Sequence, residues 1–118
     1  MKALIYDTQG TDVLEYREVT DPLPGPADVV VRVAATTVNH LDAIQRNGWF
    51  TMPGFSLPHI SGMDVVGTVM ELGSDVTRVG IGDRVVVDPS LASVPEKSLL
   101  SGRGDLYGAL GIIGANAD

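Results

Sequence analysis

Met63 and Asp64 form an apolar–acidic pair at the entry to a block, His59 to Val87, that is punctuated by Gly62, Gly67, Gly73, Gly80 and Gly82. A fold presents such side chains to a ligand where a turn hands over to a strand, and a carboxylate there accepts hydrogen bonds from a substrate. Upstream, Asn39 and Asp42 stand three residues apart at the start of a helical stretch. Asp42 has two readings: a substrate contact, or a first-turn carboxylate favoured by the helix dipole. Trp49 and Phe50 follow in a loop, where aromatic rings either wall a pocket or cap a core. His40 opens the helix, and His59, before Gly62, is expected to make a structural hydrogen bond to backbone rather than do chemistry. The chain has no cysteine, which removes disulfides, thiolate nucleophiles and Cys-based zinc sites together.

Composition narrows the function classes further. The formal net charge is −7, with eight basic residues scattered along 118 positions, so nucleic acid is not an expected partner. Apolar residues make up 44% of the chain, enough for a core, yet they never run to the roughly 20 consecutive positions of a spanning helix. The N-terminal run Lys2–Tyr6 is too short for a secretory signal. The expectation is a cytoplasmic, single-domain protein that does not engage membranes.

The elements that must position these residues are mostly strands. Lys2–Tyr6 is a short strand, and residues 14–19 alternate apolar and polar with period two. Residues 21–26, with three prolines, make a rigid loop. Residues 28–38 are the strongest strand, with Val29, Val31, Val33 and Ala35 on one face and Val30, Arg32, Ala34 and Thr36 on the other. Residues 39–47 read as a helix, with Asn39 as N-cap and Gly48 as its stop. Residues 49–58 form a loop, and Val65–Leu72 and Arg84–Val87 are β-branched strands. Beyond Asp88, glycines and prolines predict a loop-rich lobe with a turn of helix near Glu96–Ser101. The fold class is therefore mainly β with one or two short helices, a barrel or sandwich.

The order Pro22-x-Pro24-Gly25-Pro26, Asp28–Val33, Val38-Asn39-x-x-Asp42, Pro58-His59-x-x-Gly62, Gly67-x-Val69-x-x-x-Gly73 and Gly82-Asp83-Arg84-Val85 resembles the N-terminal GroES-like domain of the medium-chain dehydrogenase/reductase superfamily. That family contains alcohol dehydrogenases and quinone oxidoreductases, and the resemblance runs from Met1 to about Gly114. It implies a partly open GroES-like β-barrel with a C-terminal lobe. It also implies a parent enzyme that uses NAD(P)H, bound mainly by a Rossmann domain. No G-x-G-x-x-G lies between a strand and a helix here, so residues 1–118 are expected to be one truncated GroES-like domain, inactive alone.

The resemblance also assigns positions. The family's catalytic-zinc cysteine and histidine match Asn39 and Met63, with Asp64 in place of the glutamate that follows the histidine. Its proton-relay hydroxyl matches Leu41. The structural-zinc cysteines fall on Ser93, Glu96, Leu99 and Tyr107. No zinc is expected at either place, since an amide and a thioether are poor zinc ligands. Asn39, Asp42, Trp49, Met63 and Asp64 are the expected substrate-binding residues. His40, at a position that meets the cofactor's pyrophosphate, is the expected cofactor contact unless it is merely an exposed helix-start residue. The implied function is the substrate side of a zinc-independent NAD(P)H-dependent oxidoreductase of quinones, enones or related carbonyls, with a small molecule as partner. The alternatives are a freestanding GroES-like binding or assembly module, self-associating through exposed edges, and a zinc alcohol dehydrogenase fragment.

Overall fold

Two antiparallel three-stranded sheets and one short helix carry the architecture in the computed structural model, which describes residues 1–51, 55–92 and 110–112. Strand β1 (Lys2–Tyr6) is the centre of the first sheet. It pairs with β2 (Glu15–Glu18) in the register Ala3 to Arg17, and with β4 (His59–Ile60), setting Tyr6 opposite His59. The second sheet has the order β3 (Val29–Thr37), β5 (Asp64–Leu72), β6 (Arg84–Val87). A further pair joins β7 (Ser90–Ala92) to β8 (Leu110–Ile112). The fold is mainly β with one short helix among the described residues, and the sheets do not close on one another. The expected helical turn near Glu96–Ser101 and the positions Ser93, Glu96, Leu99 and Tyr107 lie outside the described residues.

Hydrophobic alternation explains β1 well. Ala3 and Ile5 turn inward and are buried, as is Tyr6 at the strand's end. In β2 the alternation leads to a different place. Tyr16, on the apolar face, is exposed, and the Lys2 ammonium sits 5.7 Å from its ring centroid.

Strand β3 does not keep the strict two-faced alternation its sequence suggests. Its register against β5 shifts between Val30 and Val31 and again between Val33 and Ala35, so the side chains change phase along the strand. The second shift brings Thr36 opposite Val65 and Thr37 opposite Asp64. Gly67 lies beside this irregularity, paired with Val33 on one side and Val85 on the other. A Cβ at Gly67 would run into the Arg32 carbonyl oxygen and the Val31 side chain, so the two strands meet there only because position 67 has no side chain.

Helix α1 (His40–Arg46) is two turns long, too short to persist alone, and its ends are held from outside. Asn39 is the N-cap with extended backbone, and its N–H donates to Asp42 Oδ2 at 2.7 Å. At the other end Gly48, with φ of 76°, closes the helix, and its N–H donates to the Gln45 carbonyl. The loop after β1 completes that closure, with Gly10 N–H donating to the Arg46 carbonyl at 2.8 Å and Gln9 Nε2 donating to the Gln45 carbonyl at 3.0 Å.

Asp42→Ala should therefore destabilise the fold by about 1–2 kcal/mol, because it strips the Asn39 N–H of its acceptor. Denaturant unfolding of the variant against Asp42→Asn, which keeps an acceptor oxygen, checks this. Equal losses in the two variants would show that the cap bond contributes nothing.

The inner side of α1 packs on a polar and aromatic cluster. Gln45 Nε2 lies 3.1 Å from His59 Nε2, and His59 is 3% exposed, between Tyr6 (ring centroids 5.5 Å apart) and Phe55 (4.9 Å). Burial pushes the Tyr6 phenol up from its ordinary value, against the smaller lowering effect of its hydrogen bond with Gln45. His59 is thus a core residue.

Candidate active-site cleft

The site forms where the end of β3, the N-cap of α1 and the start of β5 converge. Gly62, with φ of 115°, turns the chain out of β4 so that Met63 goes inward and Asp64 begins β5. Three upstream groups then grip Asp64. Thr37 Oγ1 donates to Asp64 Oδ2 at 2.8 Å, Asn39 Nδ2 donates to the same oxygen at 2.8 Å, and Thr36 Oγ1 donates to the Asp64 main-chain carbonyl at 2.7 Å. The bonds from Asn39 and then Thr37 hold the Asp64 carboxyl below the usual carboxylate range, against a smaller opposing effect of burial.

Asp64 closes one end of a cleft of about 240 Å³. Ala35, Thr36, Thr37, Val65, Val66, Val86 and Val87 complete its lining, whose exposed surface is almost wholly aliphatic. Such a surface takes an apolar ligand body and leaves orientation to the few polar atoms.

The expected site residues separate into groups. Asn39 and Asp64 come together, in direct hydrogen-bond contact. Met63 is buried at 9% exposure, beneath the start of β5 rather than on the cleft surface. Asp42, also 9% exposed, spends Oδ2 on the cap, as the helix-end reading anticipated. It faces a second, smaller cavity of about 60 Å³ with Leu4, Leu14, Val38 and Ser61. His40 is exposed in the first turn, and Trp49 is 78% exposed beyond the far end of the helix; neither is among the residues lining these two cavities. Sequence reasoning missed Thr36 and Thr37. Two consecutive threonines read as ordinary strand residues, and only the register shift in β3 shows that both hydroxyls reach one aspartate.

The positions aligned with zinc ligands have other occupations here. The Asn39 amide nitrogen donates to Asp64, the Met63 thioether is in the core, and Asp64 Oδ2 already accepts two hydrogens. Among the described residues, no group of three or more His, Asp or Glu side chains is gathered as a metal site would require.

This convergence of a strand end, a helix cap and a strand start matches a known domain: the sequence fits the alcohol dehydrogenase GroES-like domain over residues 25–118. The chain belongs to that family. Its relatives are medium-chain dehydrogenase/reductase proteins. This GroES-like domain is 43% identical over 76 residues to a quinone oxidoreductase of Pseudomonas aeruginosa, a stretch covering 64% of the chain and 23% of the relative. It is 37% identical over 101 residues to the chloroplastic NADPH-dependent alkenal/one oxidoreductase of Arabidopsis thaliana, covering 84% of the chain and 25% of that protein. Among solved structures it is similar to the cobalt- and zinc-bound thermostable alcohol dehydrogenase of Pyrobaculum aerophilum, with a TM-score of 0.84 and 34% identity over all of this chain and 36% of that one. The GroES-like domain thus spans about a quarter to a third of the length of the proteins it matches.

The grip on Asp64 gives the domain a pH dependence. The folded carboxyl titrates below its unfolded counterpart, so the unfolded chain takes up the proton first as pH falls. Stability from this group is fully present above the usual carboxylate range and is lost as pH drops through that range toward the lower folded value. Asp7, held down chiefly by its hydrogen bond from Arg17, works in the same direction. Asp64→Asn should flatten the acid limb of a stability-versus-pH curve measured by urea unfolding. An unchanged slope would show that Asp64 is not gripped in solution.

Proposed function

We propose that this domain is the substrate side of a zinc-independent, NAD(P)H-dependent oxidoreductase of quinones, enones or related carbonyls. The bond from Asn39 Nδ2 to Asp64 Oδ2 carries the reading. It joins one of the two residues aligned with catalytic-zinc ligands to the neighbouring carboxylate, whose residue lines an aliphatic cleft. A site of this kind acts by orienting its ligand and excluding water, which alone can contribute much of a rate enhancement. The reduced nicotinamide would supply hydride when bound; Asn39, Thr36, Thr37 and Asp64 hold the geometry of the wall it works against. Because its hydrogen bonds favour the ionised form, Asp64 acts as an acceptor and not as the acid that completes carbonyl reduction.

The names of the relatives support both the cofactor and the substrate class, being a quinone oxidoreductase and an NADPH-dependent alkenal/one oxidoreductase. The same reading places the protein in the cytoplasm with a small-molecule substrate; among the described residues no helix is long and apolar enough to cross a membrane.

The full-length protein should oxidise NADPH or NADH with a quinone or an enone, and treatment with a chelator should leave the rate unchanged. Activity that chelation abolishes and zinc restores would overturn zinc independence in favour of the metal-bound alcohol dehydrogenase likeness. One observation favours the assembly reading instead: Val33 and Val86 are exposed on the two outer strands of the second sheet. A stable closed oligomer of the full-length protein with no nicotinamide turnover would establish it.

A further inference from the structure

Asn47 and Gly48 form the only Asn–Gly step in the sequence, and the fold places it at the end of helix α1. Gly48, with φ of 76°, stops the helix, and its N–H donates to the Gln45 carbonyl at 3.0 Å. The Trp49 N–H donates to the Ile44 carbonyl at 3.1 Å, which completes a Schellman closure. The Gln45 carbonyl accepts a second hydrogen, from Gln9 Nε2 at 3.0 Å. The Gln9 side chain also lies against Gly48, since a Cβ built there would stand 3.1 Å from Gln9 Oε1. Asn47 itself is half-buried and helical, with ψ of −7°.

An asparagine before a glycine carries its own nucleophile. With no Cβ on the next residue, the following backbone nitrogen can reach the side-chain carbonyl carbon. We propose that Asn47–Gly48 is a self-deamidation site that the Schellman closure keeps shut, and that it reacts only when the end of α1 opens. In that step the Gly48 nitrogen gives up its proton and bonds Asn47 Cγ. The Cγ–Nδ2 bond breaks, ammonia leaves, and a five-membered imide remains. Water then opens the imide at either carbonyl carbon, giving aspartate or isoaspartate, so one water is consumed for each ammonia released.

Two features of the closed helix end oppose the first step. The hydrogen on the attacking nitrogen is committed to the Gln45 carbonyl. Ring closure also needs the Gly48 nitrogen eclipsed with Asn47 Cβ about the Cα–C bond, and the helical ψ holds them well apart. The product then works against reclosure. A carboxylate at position 47 sits beside the last helix carbonyls, where the dipole favours positive charge, and isoaspartate adds a backbone atom inside the hydrogen-bonded turn. The change is one-way, and it loosens the helix that Asn39 caps.

The full-length protein would be held in mildly alkaline buffer, folded and in guanidinium chloride. Conversion at residue 47 would be followed by peptide mass spectrometry, and isoaspartate by its enzymatic methylation. The unfolded chain should convert at the rate of a free Asn–Gly peptide, and the folded protein should be slower by about tenfold or more. That factor should match, within about threefold, the protection of the Gly48 amide against hydrogen exchange, because both require the same opening. Gln9→Ala should speed conversion in the folded protein about fivefold, which is what one hydrogen bond is worth in an opening equilibrium. Asn47→Gln, whose ring would be six-membered and slower to form, should stay intact in both states over the same period.

Equal rates in the folded and unfolded protein would overturn the gating, and an unfolded chain that keeps Asn47 intact would overturn the site itself. A slow folded rate beside an unprotected Gly48 amide would also sink the proposal. If Gln9→Ala fails to fold, the match between conversion and Gly48 exchange in the parent protein decides alone.

Discussion

Asp64→Ala in the full-length protein is expected to lower kcat/KM for a quinone or enone by about 100-fold, the scale on which small misplacements near the reacting groups act. The carboxylate is the common acceptor for two elements, the end of β3 and the N-cap of α1. Without it the Thr37 hydroxyl and the Asn39 amide lose their shared partner, and only the Thr36 hydroxyl, on the main-chain carbonyl of residue 64, still ties the end of β3 to the start of β5 through a side chain. Thr37→Val removes one of the two donors and leaves the other, so its loss should be smaller, about tenfold. The ordering of the two variants is the informative result. A thermal scan of each separates a misplaced site from an unfolded one, and an Asp64→Ala rate within about threefold of the parent would show that this grip has no part in catalysis.

Gly67→Val is expected to have the largest effect on stability, about 3 kcal/mol or more, from overpacking against backbone that cannot yield. The group in the way is the Arg32 carbonyl, held in the β3–β5 ladder, so relief requires parting two paired strands. For a domain of this size the melting temperature should fall by roughly 15 °C. Gly80→Ala is the matched control: its Cβ would meet only Asp83 Oδ2, at an ordinary 3.7 Å, and the change should stay within about 0.5 kcal/mol. Similar losses for both variants would mean that the close approach of β3 and β5 is not a real constraint.

The strands were legible wherever β-branched residues ran long enough to show a period. Lys2–Tyr6, Arg84–Val87 and most of β3 and β5 lie where composition places them, and so does the helix between Asn39 and Gly48. The elements that escaped are those with no room for a pattern. His59–Ile60 spans two residues and is a strand only because β1 lies alongside it. Ser90–Ala92 and Leu110–Ile112 have three residues each and pair across a long separation, so loop-like composition is all their neighbourhood shows. The bulges in β3 were equally invisible, since a run of Val, Ala and Thr reads alike in any register.

The site divided along the same line. Asn39 and Asp64 could be brought to one place by resemblance to a family, but their mutual bond belongs to tertiary structure. Asp42 shows why residue type alone decides little: the same carboxylate would serve a ligand or a helix end, and here it serves the helix end. Trp49 offered a pocket wall by composition and stands in the open.

The closing of helix α1 by the loop after β1 bears on the stability of the cleft. A two-turn helix gains little from its own hydrogen bonds, and here its C-terminal carbonyls are met by Gln9 and Gly10, some 36 residues earlier. Its amides should consequently exchange with solvent in step with those of β1, as one cooperative unit and not as a fraying segment. Asn39 caps that helix and bonds Asp64, so the ligand wall should share the stability of the N-terminal sheet, and a change at Gln9 or Gly10 should loosen it from a distance.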